Sequence, residues 1–176
     1  MSAMPESATL SDEEWAVWRT FLDMRRRLDV TLERQLQRDA DITVAEFSVL
    51  VTLFEASQKQ LRVGELGAAL AWEKSRVSHQ VSRMEKRGLV ERRLCNTDAR
   101  GTWVGLTADG SRAVLGAIRP HAAALREVFF DVLSADQLAA IESASATVLA
   151  GLEPCAVDET ATLDEATALD EATAQS

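Results

Sequence analysis

The residues Lys74 to Lys86, KSRVSHQVSRMEK, mix cations, small hydroxyls, an amide and an imidazole with a few apolar groups in a repeating order. At about 100° per residue of a helix, Val77, Val81 and Met84 share one narrow arc. Ser75, His79, Ser82 and Lys86 lie opposite, flanked by Arg76 and Arg83. A face of this kind suits recognition of a polyanion. Arginine offers a forked donor for guanine edges, glutamine pairs with adenine, and serine or lysine meets phosphate oxygens. The candidate contact residues are Lys74, Ser75, Arg76, Ser78, His79, Gln80, Ser82 and Arg83.

Those side chains need a rigid mount, and the flanking sequence describes one. Val63, Leu66 and Leu70 mark a short helix in which Gly67 lets a neighbour approach closely, and the tight turn Ala71-Trp72-Glu73 joins it to the polar helix. Together they form a helix-turn-helix. Gly88 closes the second helix from the position just past its C-cap. The stretches 89–94 and 102–106 are strand-like, and the turn formers between them predict a hairpin with a charged tip.

Outside this unit the periodicity is helical. Ser11 with Glu14 is a capping box opening a helix to about Arg38, carrying Trp15, Trp18, Phe21, Leu22, Leu28, Leu32 and Leu36. Thr43 with Glu46 opens another, expected to bury Val44, Phe47, Leu50, Val51 and Phe54. Thr107 caps a helix reaching roughly Asp131 with a bend expected near Pro120, and Ser134 with Gln137 starts a last one ending near Leu152. The expected fold is mainly α with a small β-hairpin. Residues 1–10 are expected to be flexible, 11–152 to form the folded domain, and 153–176, with seven acids and no cations, to be a disordered acidic tail.

Net charge is −9 over 176 residues, but its distribution is uneven. Residues 59–103 hold ten cations against five acids, and each of the other three parts of the chain is acidic. A local basic patch in an acidic chain is compatible with nucleic-acid binding. No apolar run approaches the roughly 18 residues of a membrane span, and the N-terminus carries acids where a targeting peptide carries cations, so a cytoplasmic location without membrane contact is expected. Cys95 and Cys155 read as two free thiols. His79 and His121 offer no metal-ligand cluster, and no nucleophile elbow, phosphate loop or HExxH pattern occurs. Neither an enzyme nor a cofactor or metal requirement is expected.

The run Val63-Gly64-Glu65-Leu66, Lys74-Ser75-Arg76-Val77-Ser78, Arg83-Met84-Glu85-Lys86-Arg87-Gly88-Leu89-Val90-Glu91-Arg92, Asp98-Ala99-Arg100 and Val104-Gly105-Leu106-Thr107-Ala108-Asp109-Gly110 resembles the multiple antibiotic resistance regulator (MarR) family of winged helix-turn-helix transcription factors. With its flanking helices the resemblance covers about 11–152. It implies a homodimer in which helices of about 11–38 and 107–152 intertwine, with a DNA-binding part of about 43–106. That dimer presents two winged helices to a pseudo-palindromic double-stranded DNA operator, as a ligand-responsive repressor. It implies a wing arginine, here Arg100, entering the minor groove, oriented by Asp98. It also implies a site for a small aromatic or phenolic effector, whose candidate residues are Trp15, Trp18, Arg19 and Trp72, with Trp103 nearby in the wing. His79 and Arg76 depart from the residues common in the family, which implies a different operator preference. Two alternatives stand beside this: a winged helix that only binds protein, and a regulator responding to oxidation of Cys95, which has Arg92 and Arg93 close in sequence.

Overall fold

Two reciprocal hydrogen bonds start the first helix. The Ser11 hydroxyl accepts from the Glu14 amide at 3.2 Å while the Glu14 carboxylate accepts from the Ser11 amide at 2.7 Å. The computed structural model describes residues 9–94 and 102–152. Cys95, Asp98, Arg100 and Cys155, and the segments 1–8 and 153–176, lie outside the described residues.

Helix α1 spans Asp12–Ala40 and ends at Asp41, whose left-handed backbone (φ 52°) reverses the chain. Helix α2, Val44–Glu55, opens on the Thr43–Glu46 capping box. A short 3-10 turn, Ser57–Lys59, then leads into strand β1, Gln60–Arg62. By sequence, 61–63 reads as an apolar link. It is a strand because Gln60 to Arg62 pair antiparallel with Gly105 to Trp103, so the expected hairpin is a three-stranded sheet of order β1-β3-β2. Helices α3, Val63–Leu70, and α4, Lys74–Lys86, precede strands β2, Val90–Leu94, and β3, Thr102–Leu106. Helix α5, Ala108–Leu125, passes through Pro120 without a break. The irregularity comes later, as a π-helical turn over Arg126–Phe130 in which the Asp131 amide donates to the Arg126 carbonyl at 2.8 Å. Helix α6, Ala135–Gly151, begins on the expected Ser134–Gln137 box.

The core is built by Leu36 and Ile42 at the end of α1, Val49, Leu50 and Leu53 of α2, Leu66 of α3, and Val77, Val81 and Met84 of α4. Leu89, Val90 and Val104 of the sheet, with Val114 and Ala117 of α5, complete it. On α2 this differs from the sequence reading: Val44 is exposed, and Phe47, Val51 and Phe54 are only partly covered. The face around Val49, Leu50 and Leu53 is turned inward instead, and Glu46 on the same side is held in the interior by Arg87. At the other end of the sheet, Gly110 is required. A β-carbon there would stand 1.9 Å from the Leu89 carbonyl oxygen, so the first turn of α5 sits directly on the backbone that follows α4.

Core residues come from neither the first half of α1 nor α6. Every residue from Ser11 to Phe21 is exposed, including Trp15, Val17, Trp18 and Phe21, and α6 leaves Ile141, Val148 and Leu149 exposed. These helices extend away from the winged unit with apolar faces uncovered.

Where α1 and α5 cross, the Gln35 side chain donates to Asp39 at 3.0 Å, which leaves its amide oxygen to accept from His121 Nδ1 at 3.0 Å. The imidazole also packs on Phe47, with ring centroids 4.6 Å apart. Partial burial lowers the His121 pKa below its ordinary value. The unfolded chain therefore takes up this proton before the folded chain does, so the stability held above the ordinary histidine pKa is lost as pH falls through it. Thermal midpoints measured between about pH 7.5 and 5.5 are expected to fall on acidification. They should fall less steeply in His121→Asn, and equal slopes in the two proteins would remove His121 as the cause.

Candidate nucleic-acid interface

The mount for α4 is a turn with no spare room. Ala71 takes a left-handed backbone (φ 51°) after α3, and the Trp72 amide donates back to the Gly67 carbonyl at 2.9 Å. A β-carbon at Gly67 would lie 3.1 Å from the Trp72 carbonyl oxygen and 3.5 Å from a Val77 methyl, so glycine lets the turn close and α4 lie against α3. At its far end, Gly88 in the left-handed region (φ 71°) donates to the Glu85 carbonyl at 2.9 Å and Leu89 donates to that of Met84 at 3.0 Å. The chain then turns straight into β2.

Around α4, at about 100° per residue, three sectors follow. The buried sector holds Val77, Val81 and Met84, all fully covered, together with Gln80 at 9% exposure. Gln80, expected among the contacts, thus stands with the core arc in this chain. A second sector holds Ser78, Ser82 and Glu85 and is occupied by the sheet. Arg92 of β2 donates to the Ser78 carbonyl at 3.1 Å, the Ser82 hydroxyl at 2.9 Å and the Glu85 carboxylate at 3.1 Å, and the Ser82 hydroxyl donates in turn to the Ser78 carbonyl at 2.9 Å. Ser78 and Ser82 are half-buried and face this clamp, which corrects the expectation that Ser82 stands at the centre of the open face. The third sector is open and holds Ser75, Arg76, His79, Arg83 and Lys86, all exposed, with Lys74 exposed at the helix start.

Arg92 is not among the expected site residues. The signal for it is strand alternation: Arg92 pairs with Val104, a core residue, so both stand on the face of the sheet turned toward α4. Arg93 and Arg62, the cross-strand neighbours of Trp103, point to the other side, where the Arg62 guanidinium lies 5.4 Å from the Trp103 ring centre.

The electrostatics of α4 set it apart. Among the described residues, the other five α-helices carry an acid in the first turn, where it complements the helix dipole. Helix α4 has none there, its N-cap Glu73 makes no side-chain capping hydrogen bond, and Lys74 and Arg76 occupy the positive end instead. This arrangement is unfavourable within the chain and favourable toward an external anion. Arg76 is held by stacking, its guanidinium 4.1 Å from the centre of the Trp72 ring.

The expected effector residues are not gathered in the single chain. Trp15, Trp18 and Arg19 stand on the exposed half of α1, with Trp18 stacked on Phe21 at 5.8 Å between ring centres. Trp72 is half-buried against the winged core. Two open grooves, of about 410 Å³ beside Asp29, Val30, Glu33, Arg34 and Val44 and about 340 Å³ beside Gln58, Gln60, Glu65 and Trp103, include none of the four. Among the described residues no group of three or more His, Cys, Asp or Glu is placed to hold a metal ion, and no helix is long and apolar enough to cross a membrane.

A model of the MarR family matches residues 40–101. No curated protein matches the chain. Among solved structures, Sco3205, a MarR family transcriptional regulator from Streptomyces coelicolor in complex with DNA, is 36% identical, covering 83% of this chain and 95% of its own at a TM-score of 0.78. AbsC, a MarR family transcriptional regulator from the same organism, is 35% identical over 82% of this chain and 99% of its own, with a TM-score of 0.75. A single-site mutant of MarR from E. coli, complexed with operator DNA, is 26% identical over 80% and 99% of the two chains, with a TM-score of 0.70. With 36% identity to Sco3205 over 83% of this chain and 95% of that protein, and the same winged fold, this chain belongs to the MarR family of transcriptional regulators.

Proposed function

We propose that this chain is a DNA-binding regulator of transcription in the cytoplasm, a ligand-responsive repressor that works as a homodimer on a pseudo-palindromic operator. The observation that carries this reading is the open sector of α4: Ser75, Arg76, His79 and Arg83 exposed on a helix whose opposite arc is locked into the core. The helix enters the major groove, where Arg76 and Arg83 meet base edges and Lys74 and Ser75 meet phosphates. Arg100, between β2 and β3, reaches the minor groove with Asp98 orienting it. Support comes from Sco3205 and the mutant E. coli MarR, both described in complexes with DNA.

The uncovered apolar faces of α1 and α6 favour pairing of two copies. Trp15, Val17, Trp18, Phe21 and Met24 on one helix, and Ile141, Val148 and Leu149 on the other, form more apolar surface than a solitary subunit ordinarily exposes. A two-fold pair would set two α4 helices about 34–36 Å apart, one turn of duplex.

In gel-shift titrations at fixed salt, Arg83→Ala and Arg100→Ala are each expected to weaken operator binding by about tenfold or more, with affinity falling steeply as salt rises. Unchanged affinity in both variants, or a salt-independent complex, would sink the DNA reading.

Release by an effector is the second part of the proposal. Trp72 sits at the turn that aims α4 and already holds Arg76 by its ring. A small aromatic or phenolic ligand bound against it, with Trp15, Trp18 and Arg19 completing the site in the dimer, would shift the recognition helix. Titration with a panel of phenolic acids should give a saturable change in tryptophan fluorescence that Trp72→Phe diminishes. A flat response to every compound would remove this part and leave DNA binding untouched.

A further inference from the structure

One guanidinium gathers three helix ends. Arg87 is the C-cap residue of α4. Its Nη1 donates to both carboxylate oxygens of Glu46, at 2.9 and 2.8 Å, and its Nη2 donates to the Asp41 carbonyl at 2.6 Å and the Asp41 carboxylate at 3.1 Å. Asp41 is the left-handed residue that ends α1. Glu46, only 2% exposed, also accepts from the Thr43 amide at 2.9 Å and the Thr43 hydroxyl at 3.2 Å, so the same carboxylate caps α2. The end of α1, the start of α2 and the end of α4 therefore meet at one guanidinium with two ion pairs.

The geometry points to Arg87 as a positioning residue that fixes the angle of the recognition helix relative to α1, an inference that rests on the DNA-binding reading. Three features carry it. The two arms of the fork hold different partners, Nη1 on Glu46 and Nη2 on Asp41, which fixes direction as well as distance. Of its two acidic partners Glu46 is buried, so that bond is screened less than the one to the exposed Asp41. And α1 leads from this joint to the uncovered apolar face, whereas α4 leads from it to the open cationic sector. An angle set here is an angle between the surface that pairs two copies and the surface that reads DNA. Loss of the fork leaves each α4 folded on its own core and free to tilt about its C-terminal end. Specific binding needs both helices in register with the duplex, whereas non-specific attraction to phosphates does not. The two affinities should therefore separate.

Arg87→Met alone leaves Glu46 buried without its cation, and the chain is at risk of failing to fold. The informative variants are Glu46→Gln with Arg87→Met, which keeps a residue able to complete the Thr43 capping box, and Arg87→Lys, which keeps the charge and loses the fork. Two measurements on the full chain decide the matter, at a temperature where every variant is folded. In the first, spin labels at Arg26→Cys on α1 and Ser75→Cys on α4, in chains carrying Cys95→Ser and Cys155→Ser and diluted into unlabelled protein, report the intrachain distance. A narrow distribution is expected with Arg87 and a broader one in both variants. In the second, in unlabelled chains, the ratio of operator affinity to affinity for unrelated duplex should fall by about tenfold, with the non-specific affinity unchanged. A merely structural loss would move both affinities together and would sink the inference, as would an unaltered distance distribution. Native protein that bound no duplex would defeat the DNA reading, and with it the positioning role, whatever the distances showed.

Discussion

The rotational setting of α4 is the constraint on which everything else depends. Val77, Val81 and Met84 are completely covered, and burying each contributes roughly 1.5–3 kcal/mol. Turning the helix by about 100° in either sense would bring Glu85, or Arg76 and Arg83, into that position. Each ion driven inward without a partner costs several kcal/mol, so the two effects reinforce one another and a single setting survives. The charged sector is exposed because the apolar sector has nowhere else to go.

The polar ties then divide what remains of the helix. Arg92 takes the flank carrying Ser78, Ser82 and Glu85 and binds the sheet to α4. Arg87 takes the far end and binds α4 to the α1–α2 turn. Trp72 steadies Arg76 at the near end. Three aromatic or cationic neighbours thus hold a helix whose own N-terminus has no side-chain cap and no first-turn acid. The cations left over occupy one open sector, which is how a chain of net charge −9 comes to show a positive surface.

Much of this is legible in the order of residues. The capping boxes at Ser11, Thr43 and Ser134, the glycines at 67 and 88, and the Val77–Val81–Met84 arc each follow from a local rule, and each lies where expected. The misses have a common physical source. Strand β1 is three residues long and has no pattern of its own; only the partner Trp103–Gly105 makes it a strand. The chemistry of its amide places Gln80 among the contacts, although helix geometry puts it next to Met84. Arg87 and Glu46 are 41 residues apart, and no local periodicity announces a contact at that separation. Local rules thus reach the elements and most of the open sector. The long-range ion pair, the sheet-side clamp and the inward turn of α2 arise only when those elements meet.

Helix α6 contributes nothing to the interior, and the first half of α1 contributes nothing either. Substitutions there leave the winged unit's own packing intact, while any on α4 or α2 must respect a filled core. The terminal helices can therefore drift in sequence at little cost to the packing of the winged unit. Under the proposed pairing, such freedom would let the apolar faces of α1 and α6 change without any change to the core that sets α4.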